Sequence, residues 1–173
     1  MLATVLARTR VPLGFVCGAI VLWLAQPTPG SLTIGGFIAI GGEIIRIWAA
    51  GHLEKGKEVT RSGPYRLTRH PLYMGSAIIA LGAAIASARL SVAVIILMYV
   101  AVTLAAAIVH EERSMRAAFG DQYNAYANSR TQPVDRSFSW KRALKNKEHK
   151  AVVGLAVAAA VLAAKTMSTF PRL

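Results

Sequence analysis

The chain has 173 residues, 54% of them hydrophobic, with 20 Lys and Arg against 8 Asp and Glu and a formal net charge of +12. One domain fills that length, and a mean hydropathy of +0.45, with the apolar residues in blocks, excludes an ordinary soluble globule in favour of a helical membrane protein. In a soluble chain this charge would point to nucleic acid; in short loops between apolar blocks it reads as topology, so no nucleic-acid partner is expected.

Five segments are predicted to span a membrane. The first, Val11 to Leu24, follows Arg8 and Arg10 and stops at Gln26-Pro27-Thr28-Pro29-Gly30. Its basic flank and modest length also fit a signal peptide, but no small-x-small cleavage site follows, which favours a retained helix. The second runs from Ser31 to Leu53. The third (Leu72 to Ala88) and fourth (Leu90 to His110) are separated only by Arg89, so they form an antiparallel helical hairpin. The fifth, Ala151 to Phe170, is charge-free only as far as Ala164, a length shared by buried or re-entrant segments. Lys165 would let it cross by snorkelling. The fold class is therefore all-α: a polytopic bundle of about five helices with a tight hairpin at 72–110. Residues 1–150 form the core with its cytoplasmic loop and amphipathic arm, and 151–173 add one further membrane-embedded helix. Cys17 is the only cysteine, which excludes an intramolecular disulfide.

The basic residues are unevenly shared. Sixteen fall before the first span, in the loop between the second and third, or between Arg113 and Lys150; three, Arg89, Lys165 and Arg172, fall on the other side, and Arg46 lies within a span. By the positive-inside rule the amino terminus, the 54–71 loop and the 111–150 region are expected in the cytoplasm.

Small residues make stripes on two spans: Ser76, Ala80 and Ala84 beside Gly75 on the third, and Gly35, Ala39 and Gly42 on the second, where Arg46 continues the line. Such stripes let helix backbones approach closely in lipid. Glu111 to Ser129 reads as an amphipathic helix with Met115, Phe119, Tyr123 and Tyr126 near one face and Gly120 as a possible interruption. Lys141 to Lys150 reads as a solvated basic linker able to lean on anionic lipid.

Polar chemistry gathers at the ends of two consecutive spans. Gly63 to Gly75 opens the third and carries Tyr65, Arg69, His70, Pro71 and Tyr73, while the fourth ends on His110-Glu111-Glu112. Taken singly, Arg69 and His70 read equally as interface charges, Glu111 and Glu112 as partners of Arg113 and Arg116, and the tyrosines as an aromatic belt. Glu43 and Arg46, three apart inside a span, are either a functional pair or a self-neutralising one. His52 sits near the cytoplasmic end, facing either a pocket or the interface.

The conjunction is more specific than its parts. Arg69-His70-Pro71-x-Tyr73-x-Gly75 followed by Glu111-Glu112-x(7)-Gly120-x-x-Tyr123, with Arg46-x-Trp48-Ala49 upstream, resembles the isoprenylcysteine carboxyl methyltransferases and their relatives, the phospholipid N-methyltransferases. The resemblance covers Gly42 to Pro133. It implies an integral-membrane methyltransferase that uses S-adenosylmethionine and a lipophilic, membrane-resident acceptor, either an isoprenylcysteine-like carboxylate or a phospholipid type. It also implies a cofactor pocket lined by Tyr65, His70, Pro71, Tyr73, Gly75, Glu111 and Glu112, no metal, and catalytic roles for Arg69 and Glu112. Arg69 would orient an acidic acceptor or the cofactor carboxylate, and Glu112 is the nearest group to take a proton from an amine acceptor. Arg46 and Arg130 are implicated in holding the acceptor. Ala127-Asn128-Ser129 replaces the basic residues usual in the family, so the arm departs from the pattern. Two other readings remain: a sterol-reductase-like enzyme binding NADPH, and a non-catalytic membrane scaffold.

Overall fold

The computed structural model describes the backbone of residues 2–169 and the side chains of residues 13–168, so Arg8, Arg10, Phe170 and Arg172 of the reading above lie outside the described side chains. Six helices follow in order: α1 (Leu2–Leu24), α2 (Pro29–His52), α3 (Pro71–Ala86), α4 (Leu90–Ala127), α5 (Trp140–Lys145) and α6 (Glu148–Thr169). The fold is all-α, as expected for a helical membrane bundle.

Helix ends are set by local chemistry. Thr28 and Ser31 form a capping box: the Ser31 N–H donates to Thr28 Oγ1 (3.1 Å) and the Thr28 N–H to Ser31 Oγ (3.0 Å), with Pro29 in the first turn where its missing donor costs nothing. At the far end of α3 the Ser87 hydroxyl donates to the Ala84 carbonyl (2.7 Å), and Ala88, at φ 48°, turns the chain straight into α4. Ser31 Oγ also donates to the Ala86 carbonyl (3.2 Å), joining the start of α2 to the end of α3. The predicted hairpin is present.

The most extensive contact is α2 against α3, and it is a contact of backbones. A Cβ added at Gly42 would stand 2.7 Å from the Gly75 carbonyl oxygen, and one added at Gly75 would stand 2.6 Å from that of Gly42. Gly35 and Gly82 face each other in the same reciprocal way further along. The two small-residue stripes are one interface, in which van der Waals contact replaces the hydrophobic drive that lipid does not supply.

Among the described residues, three helices are long and apolar enough to cross a membrane: Pro29–His52, Leu90–Ala127 and Glu148–Ser168. The apolar helix Pro71–Ala86, in the third predicted span, is shorter, and of the first span the described part is Leu13–Leu24. At 1.5 Å per residue α3 is about 24 Å long, less than the roughly 30 Å of a hydrocarbon core. α4 is the reverse case. It is about 57 Å long by the same rise, so its polar half beyond Val109 must stand clear of the hydrocarbon. That half breaks at Gly120 (φ 47°), where the predicted interruption occurs. Met115, Phe119 and Tyr126 stay half-buried and Tyr123 is buried, so the amphipathic face is the packed one.

The stretch expected to be a solvated linker is instead structured. α5 lies within it and α6 begins at Glu148, three residues before the predicted fifth span. Its polar side chains close the end of α2, where the last four carbonyls of a helix lack intrahelical partners. The Asn146 side-chain amide donates to the Ala50 and Leu53 carbonyls (2.9 Å each), and Arg142 Nε donates to that of Gly51 (2.7 Å). The arginine charge also suits the negative end of the helix dipole. At the opposite end of the bundle, Lys165 Nζ donates to the Leu22, Trp23 and Ala25 carbonyls at the end of α1, so α6 reaches from one end to the other.

Two outcomes follow. Gly42→Ala should lower the unfolding temperature in mild detergent, since overpacking against backbone costs about 1–3 kcal/mol. Gly41→Ala, whose added Cβ would meet nothing within 4 Å, should not lower it. Orientation is tested at Lys57, 65% exposed in the loop before α3. With Cys17 replaced by alanine, Lys57→Cys should resist membrane-impermeant thiol reagents in intact cells and react after permeabilisation; labelling of intact cells would reverse the expected topology.

Candidate active site

The end of the bundle bearing the 53–70 loop gathers most of the chemistry. His70 is the N-cap of α3 and Pro71 its first residue; Tyr73 and Met74 return their N–H groups to the His70 carbonyl (3.1 and 3.0 Å). Only the Leu72 N–H of this first turn is therefore left to face a ligand, fewer donors than an open helix start offers. The close α2–α3 packing and the hairpin bring this turn against the polar start of the second half of α4.

There the two motifs meet. His70 Nε2 lies 3.2 Å from Glu112 Oε1, and Arg69 Nη1 lies 3.3 Å from the same oxygen. Arg116, one turn on, reaches Glu112 Oε2 at 3.1 Å. The Tyr73 hydroxyl donates to Glu111 Oε2, and the Tyr73 ring stacks on His70 with centroids 5.7 Å apart. Burial opposes ionisation of Glu112, but the His70 hydrogen bond and the Arg69 and Arg116 charges outweigh it and hold this carboxyl, beyond the apolar part of α4, below its usual range. An ionised Glu112 can only accept, so His70 Nε2 donates to it. His70 Nδ1 is buried with no hydrogen-bond partner among the described residues. In neutral His70 it is a lone pair awaiting a donor.

Tyr65 lies beneath this cluster in a 3-10 turn, Gly63–Arg66, with 8% of its surface exposed, and burial pushes its phenol well above the usual range. Its carbonyl accepts from the Tyr126 hydroxyl (2.9 Å), so the kink at Gly120 serves to fold the end of α4 back over the loop. The arm beyond continues along the same loop: Val134 N–H donates to the Arg61 carbonyl (3.3 Å), and Arg66 Nη2 to the Val134 carbonyl and Asp135 (3.0 and 2.9 Å).

Not every predicted residue joins the cluster. Gly75 is taken up by the helix crossing, where an added Cβ would also meet Arg46 Cγ at 2.6 Å. Arg46 sits one level deeper than His70, donating from Nε to Glu148 (2.7 Å) and from Nη1 to Ser76, with Glu43 at 3.5 Å. Arg130 is exposed, and its side chain makes no hydrogen bond among the described residues. His52 is buried: its Nδ1 is 3.2 Å from Ser62 Oγ, and its ring packs near Trp48 and Phe138. That is neither of the positions weighed for it.

Several ion pairs escaped the sequence reading, and two of them make the shortest contacts. Arg136 grips Glu58 through both guanidinium ends (2.6 and 2.9 Å), and Glu148 reaches Arg46 across 102 positions of chain. Neither spacing carries a local signal, although an acid in the first turn of a helix, as Glu148 is in α6, is a recognisable cue.

Comparison with known proteins adds one positive finding. No curated protein and no solved structure matches the chain. The family model for phospholipid methyltransferases matches residues 32–122, from the first turn of α2 to the residue before Tyr123, and so takes in the helix crossing, the His70 turn and the Glu111–Glu112 pair. With over half its length matched, the chain belongs to the phospholipid methyltransferase family, as a membrane methyltransferase.

Proposed function

We propose that this protein transfers a methyl group from S-adenosylmethionine to a lipophilic acceptor held in the membrane, at the cytoplasmic end of the bundle. The observation that carries the reading is the meeting of Arg69, His70 and Tyr73 with Glu111 and Glu112 across the α3–α4 hairpin. The donor set suits this cofactor. It has carboxylates for cationic groups, a half-exposed Arg69 guanidinium for a carboxylate, and at His70 Nδ1 a buried acceptor for a hydroxyl or ammonium proton.

Bound S-adenosylmethionine would supply an electrophilic methyl group on a sulfonium. The protein's contribution is placement and electrostatics. Glu112 stays ionised beside the Arg69 and Arg116 guanidinium groups and the His70 ring N–H, which fits it to hold positive charge nearby better than to carry a proton. A carboxylate acceptor would need no base, being ionised near neutral pH. For an amine acceptor Glu112 remains the nearest carboxylate able to accept a proton. Tyr65, Pro71 and Tyr73 form the packed floor and wall that keep His70 and Glu111 in register. Arg46, deeper in the bundle, is suited to an acceptor that enters laterally between helices with its tail in lipid. Arg130 stands at the surface, where it would meet a headgroup before the acceptor reaches the site. Fixing donor and acceptor in near-attack geometry would supply most of the acceleration.

The test is cofactor affinity. Glu112→Gln and His70→Ala should each weaken S-adenosylmethionine binding about ten- to a hundredfold by calorimetry, the value of one charge-assisted hydrogen bond, with unfolding in detergent little changed. Unchanged affinity in both variants would return the cluster to a capping and topological role.

A further inference from the structure

Glu148 stands well outside the family match, at the start of α6, yet its carboxylate is buried against Arg46 of the matched core. Its side chain is 7% exposed and Oε1 lies 2.7 Å from Arg46 Nε. A buried ion pair is a poor source of stability, because desolvation of both groups offsets their attraction and an apolar pair of similar volume usually holds as well. The pair does, however, fix a direction. Arginine is long and rich in rotamers. Here Nε is held by Glu148 and Nη1 by Ser76 of α3, so the plane of the guanidinium is set from two sides. The remaining nitrogen, Nη2, makes no hydrogen bond among the described residues, and 21% of the side chain remains accessible. Donors are left over, and they are aimed.

The backbone that carries Glu148 is equally constrained. Arg142 and Asn146 bind the carbonyls of residues 50, 51 and 53 at the end of α2, and Lys147, at φ 64°, turns the chain from α5 into α6. Anchor and target thus sit on the same helix: α5 grips the end of α2 while Glu148 reaches Arg46 a turn and a half before it.

We infer that Glu148 is a positioning residue for methyl-acceptor handling: it aims Arg46 at an oxygen of the acceptor, and the α5–α6 segment outside the matched core thereby completes the site. This rests on the methyltransferase reading above. In proteoliposomes with total membrane lipid, Glu148→Gln should lower kcat/KM for the acceptor about ten- to a hundredfold, while the dissociation constant of S-adenosylmethionine stays within about twofold. Glu148→Asp should recover part of the loss. Combining Glu148→Gln with Arg46→Lys should cost little more than Arg46→Lys alone, because both act through one guanidinium. Should Glu148→Gln fail to fold, Ser76→Ala, which removes the other anchor without touching a charge, should show the same loss of acceptor kcat/KM at unchanged donor affinity.

A Glu148→Gln protein that turns over normally, or loses activity only in proportion to its folded fraction, overturns the inference and leaves the methyltransferase reading standing. Equal loss of donor affinity and turnover also overturns it. A wild-type protein that neither binds S-adenosylmethionine nor methylates lipid contradicts that reading, and the inference falls with it.

Discussion

The approach of two helix backbones at Gly42 and Gly75 is the constraint on which the rest depends. Lipid gives helices no hydrophobic reason to associate, so close contact has to come from shape, and only residues without a Cβ allow these carbonyls to come so near. The crossing fixes α3, too short to rely on its own length, against α2, which is long enough to span. It therefore sets the height of His70 relative to Arg46. Everything polar at the loop end is built outward from that alignment.

Charge is then arranged in two levels. The outer level, around Glu112, has two guanidinium groups and the His70 imidazole about one carboxylate and stays partly open to water. The inner level has Arg46 between Glu43 and Glu148, nearly closed. Ionisable groups within a membrane protein are costly unless paired, and both levels follow that rule; both buried Glu43 oxygens still lack a hydrogen-bond partner among the described residues, as do two nitrogen atoms, His70 Nδ1 outside and Arg46 Nη2 inside. Those two nitrogens are where the proposed function needs a donor molecule and an acceptor molecule to be recognised.

Much of this was legible in the residues. Blocks of apolar residues mark spans because every backbone group in lipid must be bonded within its own helix. The hairpin followed from a single intervening Arg89, and the packing stripes from the recurrence of small residues every three or four positions. Other features were not legible. A periodic pattern cannot tell a free basic linker from one whose arginine and asparagine cap a helix end about ninety residues earlier, so 141–150 was read as solvated when Ala143 and Glu148 are buried. Arg46 and Glu43 offered a partner within the same helix, which hid the stronger one on α6. His70 and Glu112 were found together because a motif links them; spacing alone would have left them as two separate interface charges.

The central claim is that this cluster serves methyl transfer to a molecule resident in the membrane. The most direct measurement incubates the purified protein, reconstituted with total membrane lipid, with S-adenosylmethionine labelled on its methyl carbon, and follows the label into the organic extract. The account predicts a labelled lipophilic product formed in proportion to folded protein. Folded protein that leaves all label in the aqueous phase, and that binds NADPH in preference to S-adenosylmethionine, would contradict it.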